Sequence, residues 1–170
     1  MPILNPDHLL EQADYLTGTP AAGAPRQADL RRAISNAYYA IFHAIAAQAA
    51  DDFFGRAQRA NPLYSLVYRS IDHKILRAIS EDIQKQTPPA RYTPYIPAGG
   101  FGPDMVAVAT AVVDLQEKRH SADYDPLFRV GTPDAVLTVD LARDAVTRFR
   151  GAHTSKRKPF LALLLFSPRK

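Results

Sequence analysis

Apolar residues along this chain recur at spacings of three and four, and proline and glycine mark where each run starts and stops. Asn5 before Pro6 predicts a helix start and Gly18 a stop, so "NPDHLLEQADYLTG" reads as a short first helix. "TPAAGAPRQ" predicts a loop, and a long helix follows from about Ala28 to Phe54, closed by Gly55. "RAQRANP" turns the chain. Pro62 then opens a third helix to roughly Gln86, with Leu63, Leu66, Val67, Ile71, Ile75, Ile79 and Ile83 at helical spacings. "TPPARYTPYIPAGGFGP" is too rich in Pro and Gly for regular structure and predicts an ordered or semi-mobile loop over 87–103. A fourth helix runs from Pro103 to about Tyr124, where Pro126 stops it. Thr132 caps and Pro133 opens a fifth, to about Arg150. "FLALLLF", 160–166, reads as a short strand or a packing segment.

These elements predict an all-α fold, an antiparallel up-and-down bundle of four to five helices. A single helical domain is expected over 1–155, with a basic and apolar tail over 156–170. The chain of 170 residues is 46% hydrophobic and 22% charged, which suits one domain with a real core and excludes global disorder. It contains no Cys, which removes disulfides, thiolate metal sites and a Cys nucleophile, and fits a reducing compartment. The N-terminus shows no basic stretch followed by an apolar run, and "FLALLLF" is far shorter than the ~20 residues a membrane span needs. A cytoplasmic protein with no membrane partner is therefore expected. The formal charge of +4, with part of the excess in "SKRKP" and the final "PRK", is compatible with RNA or nucleotide binding without requiring it. No glycine-rich phosphate loop and no metal-ligand spacing is present, so neither a cofactor nor a metal is expected.

Candidate chemistry concentrates in two helices. On the second, at about 100° per residue, Ile34, Ala37, Tyr38, Ile41 and Ile45 fall on one side and predict a core face. Arg32, Asn36, Tyr39 and His43 fall on the other, running on into Ala46, Ala47 and Ala50. This stripe is either an amphipathic edge of the bundle with satisfied hydrogen bonds or part of a ligand site or subunit interface. On the fourth helix Met105, Val108, Val112 and Leu115 form an apolar stripe whose continuation reaches Arg119 and then Asp123. These two can pair and fix the helix end, and Asp123 can also reach Tyr39 or His43. Tyr124 follows directly, and His120 lies beside the stripe.

The segments "LRRAISNAYYAIFHA" and "LQEKRHSADYDP", in that order, resemble the HEPN superfamily (higher eukaryotes and prokaryotes nucleotide-binding) over roughly residues 28–150. The patterns "RxAxxxAYYAxFH" and "RxxxDYDP" carry the resemblance. It implies a bundle of four or five helices, commonly a homodimer, often accompanying a nucleotidyltransferase in toxin–antitoxin, defence or stress modules. Many members are metal-independent ribonucleases with an Arg followed four to six residues later by a His. Here Arg119 matches the Arg, but Tyr124 or Asp125 stands where the His would be, and His120 is immediately adjacent. The chain thus looks like the "ADY" subgroup. The resemblance implies a domain that binds RNA, a nucleotide or a nucleotidyltransferase partner, through Arg32, Asn36, Tyr39, His43, Arg119, Asp123 and Tyr124. An active ribonuclease toxin using Arg119 with His120 or His43 is the alternative, and a purely structural dimerisation module a third.

Overall fold

The computed structural model describes residues 3–18 and 23–168. Positions 19–22 of the expected first loop and the basic residues 169–170 lie outside them. Seven α-helices follow in order: α1 (Pro6–Thr17), α2 (Gln27–Phe54), α3 (Pro62–Arg69), α4 (His73–Ile83), α5 (Gly102–Tyr124), α6 (Thr132–Gly151) and α7 (Thr154–Leu165). Short 3-10 turns cover Arg56–Gln58 and Ala90–Tyr95, and there is no strand among the described residues.

Local chemistry places the ends. The Asn5 side chain accepts from the Asp7 amide at 3.1 Å ahead of Pro6, and Asn61 does the same for Leu63 at 2.9 Å ahead of Pro62. Gly55, with φ 83°, stops α2 in a conformation other residues rarely adopt.

α2 is the axis of the bundle. Its 28 residues make a rod about 42 Å long, packed by α1, α3, α5, α6 and α7. Between Ala33 and Ala47 every residue is buried except Tyr39 and His43, which are half-buried. The alanines of this run let neighbouring backbones approach from all sides, so this stretch of α2 has no solvated polar face. Cross-links give the directions. Arg31 bonds to the carbonyl of Asp125 just past α5, Ser35 to Asp123 and Tyr39 to Arg119, a descending order that makes the two helices antiparallel. Asp7 and Asp14 of α1 pair with Arg150 and Arg143 of α6, antiparallel again.

Two expected elements differ. The predicted third helix is two, because Asp72 caps a fresh start by accepting from the amides of Lys74 at 2.7 Å and Ile75 at 3.2 Å. The isoleucine spacing ran through that break and masked it. "FLALLLF" is the packing segment and not a strand: residues 160–165 end α7, which buries Phe160, Leu161, Leu163 and Leu164 in the main core. At about 2 kcal/mol for each buried side chain, this burial makes α7 part of the fold. The 87–103 loop is ordered by Tyr92 and Phe101, both in the core, and by Lys156, whose Nζ donates to the carbonyls of Ala98 and Gly100 at 2.6 and 2.7 Å. A second, smaller core of Leu30, Ile34, Ala122, Val130 and Ala135 holds the end of α5 against α2. Among the described residues no helix is long and apolar enough to cross a membrane.

Candidate functional site

Arg119 sits where α5 nears its end and faces α2. Its Nη2 donates to the Tyr39 hydroxyl at 2.6 Å, and its Nε lies 2.7 Å from Asp123 Oδ2. The Nε contact is an ion pair without a well-aligned hydrogen bond. The guanidinium carbon lies 5.2 Å from the Tyr39 ring centre and 5.4 Å from that of Tyr124. Asp123 is fixed in turn by the Ser35 hydroxyl, which donates to its Oδ1. Burial alone would lower the proton affinity of Arg119, but Tyr39 and Asp123 outweigh it and raise it.

Two histidines complete the cluster. His73, the first residue of α4, stacks on Phe42 with ring centres 4.0 Å apart and lies 6.1 Å from Tyr39. Its Nδ1 is 2.6 Å from the hydroxyl of fully buried Tyr38, and Gln116 of α5 donates to its carbonyl at 3.1 Å. His43 stacks on Tyr39 with centres 5.9 Å apart, and its Nδ1 is 2.7 Å from the Tyr68 hydroxyl. Burial, and then the charge of His73, lowers the pKa of His43. Burial and the charge of Arg119 lower that of His73, against a smaller opposing effect of Asp72. Both rings are thus neutral at pH 7.

Burial pushes the Tyr68 phenol up to about 12 and raises Tyr38 further, so both keep their proton. A protonated hydroxyl can donate to Nδ1 or accept from it; where it donates, the proton of the neutral ring is on Nε2. Packing on Phe42 and Tyr39 holds the two rings.

The face of α2 that meets α5 is rotated from the expected stripe. Arg31 and Ser35, not Arg32 and Asn36, stand in line with Tyr39. Arg32 is exposed, and Asn36 is buried with its amide donating to Gln12 of α1 at 2.9 Å. Arg31 closes the end of α5: Nε donates to the Ala122 carbonyl at 2.7 Å and Nη2 to that of Asp125 at 2.8 Å. These carbonyls have no partner within the helix, so a cation there satisfies both hydrogen bonding and the helix dipole. Tyr38, expected in the core, is there, yet its hydroxyl also serves the cluster. His120 is exposed against Tyr124, with ring centres 5.1 Å apart, and is not among the groups bonded to Arg119. Sequence reasoning missed His73, Arg31 and Ser35. The capping signal at Asp72 could have located the start of α4, but nothing local ties its first residue to Arg119.

His43 and Tyr68 also line a groove of about 530 Å³ with Leu4, Arg59 and Pro62. Among the described residues no three acidic or imidazole groups gather to hold a metal. Comparisons with models of protein families, with curated proteins and with solved structures find no significant match.

Proposed function

We propose that this chain is a HEPN-like domain whose Tyr39, His43, His73 and Arg119 cluster binds RNA or a nucleotide, without cutting it. One observation carries the reading: both histidines give their Nδ1 to tyrosine hydroxyls beside Arg119. With the tyrosines as donors, two Nε2–H groups and a guanidinium share one patch, a set suited to phosphate oxygens. Tyr124, more than half exposed, offers a face on which a base can stack. Arg119 is already neutralised by Asp123, so the patch works by directed donors more than by net charge. For the homodimer or nucleotidyltransferase partner that the resemblance implies, Phe53 and Phe166 offer exposed apolar surface, with ring centres 6.4 Å apart.

The alternative, a metal-independent ribonuclease, gains one support. His73 brings an imidazole beside Arg119 that the sequence lacks after that residue. Cleavage, however, needs a base to take the 2′-hydroxyl proton, and where the tyrosines donate to Nδ1 the Nε2 carries hydrogen and cannot take it. The test is the affinity for a single-stranded RNA measured across a salt series. Arg119→Ala is expected to weaken binding about tenfold, with a smaller change in salt slope than the ~0.7 of a free cation on a single strand, because Asp123 already neutralises it. Unchanged affinity across the series would overturn the assignment. RNA that is cut by the native chain and spared by His73→Ala would replace it with the ribonuclease.

A further inference from the structure

A second cleft, of about 620 Å³, lies between the N-terminal segment, the far half of α2 and the α6–α7 junction. Arg56, Arg59, Arg150 and Arg157 line it, against a single aspartate, Asp51, giving a formal +3. Three separate parts of the chain bring these arginines together. The turn after Gly55 supplies Arg56 and Arg59, the end of α6 supplies Arg150, and α7 supplies Arg157.

Most of them are positioned from behind. Arg59 grips Asp51 through two bonds of 2.9 and 2.6 Å, and Arg56 Nε is 3.5 Å from the same carboxylate. Asp51 is itself fixed by the Tyr64 hydroxyl at 2.9 Å. Arg157 Nη1 donates to the carbonyl of Arg150 at 3.0 Å, while its buried Nε has no hydrogen-bond partner among the described residues. Arg150 bonds Asp7 at 2.8 Å, and counting Asp7 the local charge is still +2. Like charges gathered in a concave wall repel one another, and a bound anion relieves that repulsion. Arg59 also borders the neighbouring groove, whose wall includes Leu4, Pro62 and Tyr68. An arginine-lined cleft that opens into an apolar, aromatic groove matches a ligand with a charged end and a flat one. Both volumes fall in the ~300–1,000 Å³ range of small-molecule sites.

We infer that the arginine cleft is a binding site for a nucleoside diphosphate, with the phosphates among the four arginines and the base in the groove beside Pro62 and Tyr68. The phosphate half does not rest on the Arg119 reading, because no residue lining the cleft belongs to that cluster, and the base half meets the cluster at His43, which lines the groove.

Calorimetric titration of the intact chain with ADP, adenosine, inorganic pyrophosphate and a single-stranded RNA tests it. ADP is expected to bind at least about tenfold tighter than adenosine or pyrophosphate, because only ADP fills both parts. Arg56→Glu should weaken ADP binding about tenfold or more, since it reverses a charge aimed at the phosphates. Its side chain is 77% exposed, so the fold should tolerate the change. Arg150→Gln is the second variant, with a loss in the same direction. Arg119→Ala should leave ADP affinity within about twofold. No ADP binding, adenosine as tight as ADP, or full affinity in both arginine variants would overturn the proposal. Pyrophosphate as tight as ADP would remove the base from the groove and overturn the nucleotide. RNA that displaces ADP and binds more tightly would reassign the arginines to a nucleic-acid backbone.

Discussion

The Arg119 cluster and the arginine cleft use the same pair of residue types in opposite arrangements. In the cluster the guanidinium is the more buried partner, with the Arg119 side chain 17% exposed and Asp123 26%. In the cleft the carboxylate is buried, with Asp51 at 6% and Arg59 and Arg56 at 36% and 77%. A buried arginine uses its donors on the protein, as Arg119 does on Tyr39 and Asp123. A buried aspartate instead anchors arginines that project outward. The first arrangement fixes a geometry and the second gathers charge, so the two regions suit different parts of an anionic ligand.

The sharpest way to break this contrast is to strand the buried partner on each side. Arg59→Ala leaves Asp51 under a thinner shell of positive charge, and about 2–3 kcal/mol of stability should be lost in urea unfolding at pH 7. Removing Asp51 as well should restore part of it, and a double variant no better than Arg59→Ala would contradict the idea that the stranded acid is the cost. Asp123→Ala should cost less, about 1–2 kcal/mol, because Arg119 keeps the Tyr39 hydroxyl and both rings.

Acid and base should probe the cluster next. His43 and His73 have pKa values below 6.5 when folded, so between those values and about 6.5 the unfolded chain binds more protons. Stability should therefore fall as pH drops below about 6.5, and His73→Gln should flatten that limb. Tyr68, raised to about 12, and Tyr38, raised further, contribute stability that is complete below pH 10 and lost above it. A stability profile flat from pH 7 to 5 would mean that the two imidazoles are not held neutral.

The smallest effect is expected at the most exposed arginine. Arg56→Gln should change stability by less than about 0.5 kcal/mol, since its contact with Asp51 is long and solvated. A loss as large as that of Arg59→Ala would erase the distinction between anchored and projecting arginines.

Helix ends were legible because they depend on single residues: Asn5 with Pro6, Gly55, and Pro126 after α5. Helix rotation was not. A stripe drawn on Arg32 and Asn36 is off by one position, about 100°, because α2 is packed on all sides between Ala33 and Ala47 and its apolar pattern there does not mark one outer face. Arg119, Asp123 and Tyr39 could be read because each continues or breaks a visible stripe. His73 could not, since its place depends on how the helix after Asp72 lies across α2 and α5. The two arginine pairs of the cleft are about ninety residues apart in the chain, and no local pattern joins them.

What the sequence by itself determined is an all-helical chain with most of its breaks and caps, and Tyr39 and Arg119 as polar breaks in apolar stripes, because backbone propensities, capping and spacing act over a few residues. Only the tertiary structure decided which side of α2 meets α5, that Tyr38 and Tyr68 bond the Nδ1 of two histidines, and that Arg56, Arg59, Arg150 and Arg157 share a wall. Those outcomes depend on how whole helices rotate and cross to fill one core, and that is a property of the packing as a whole.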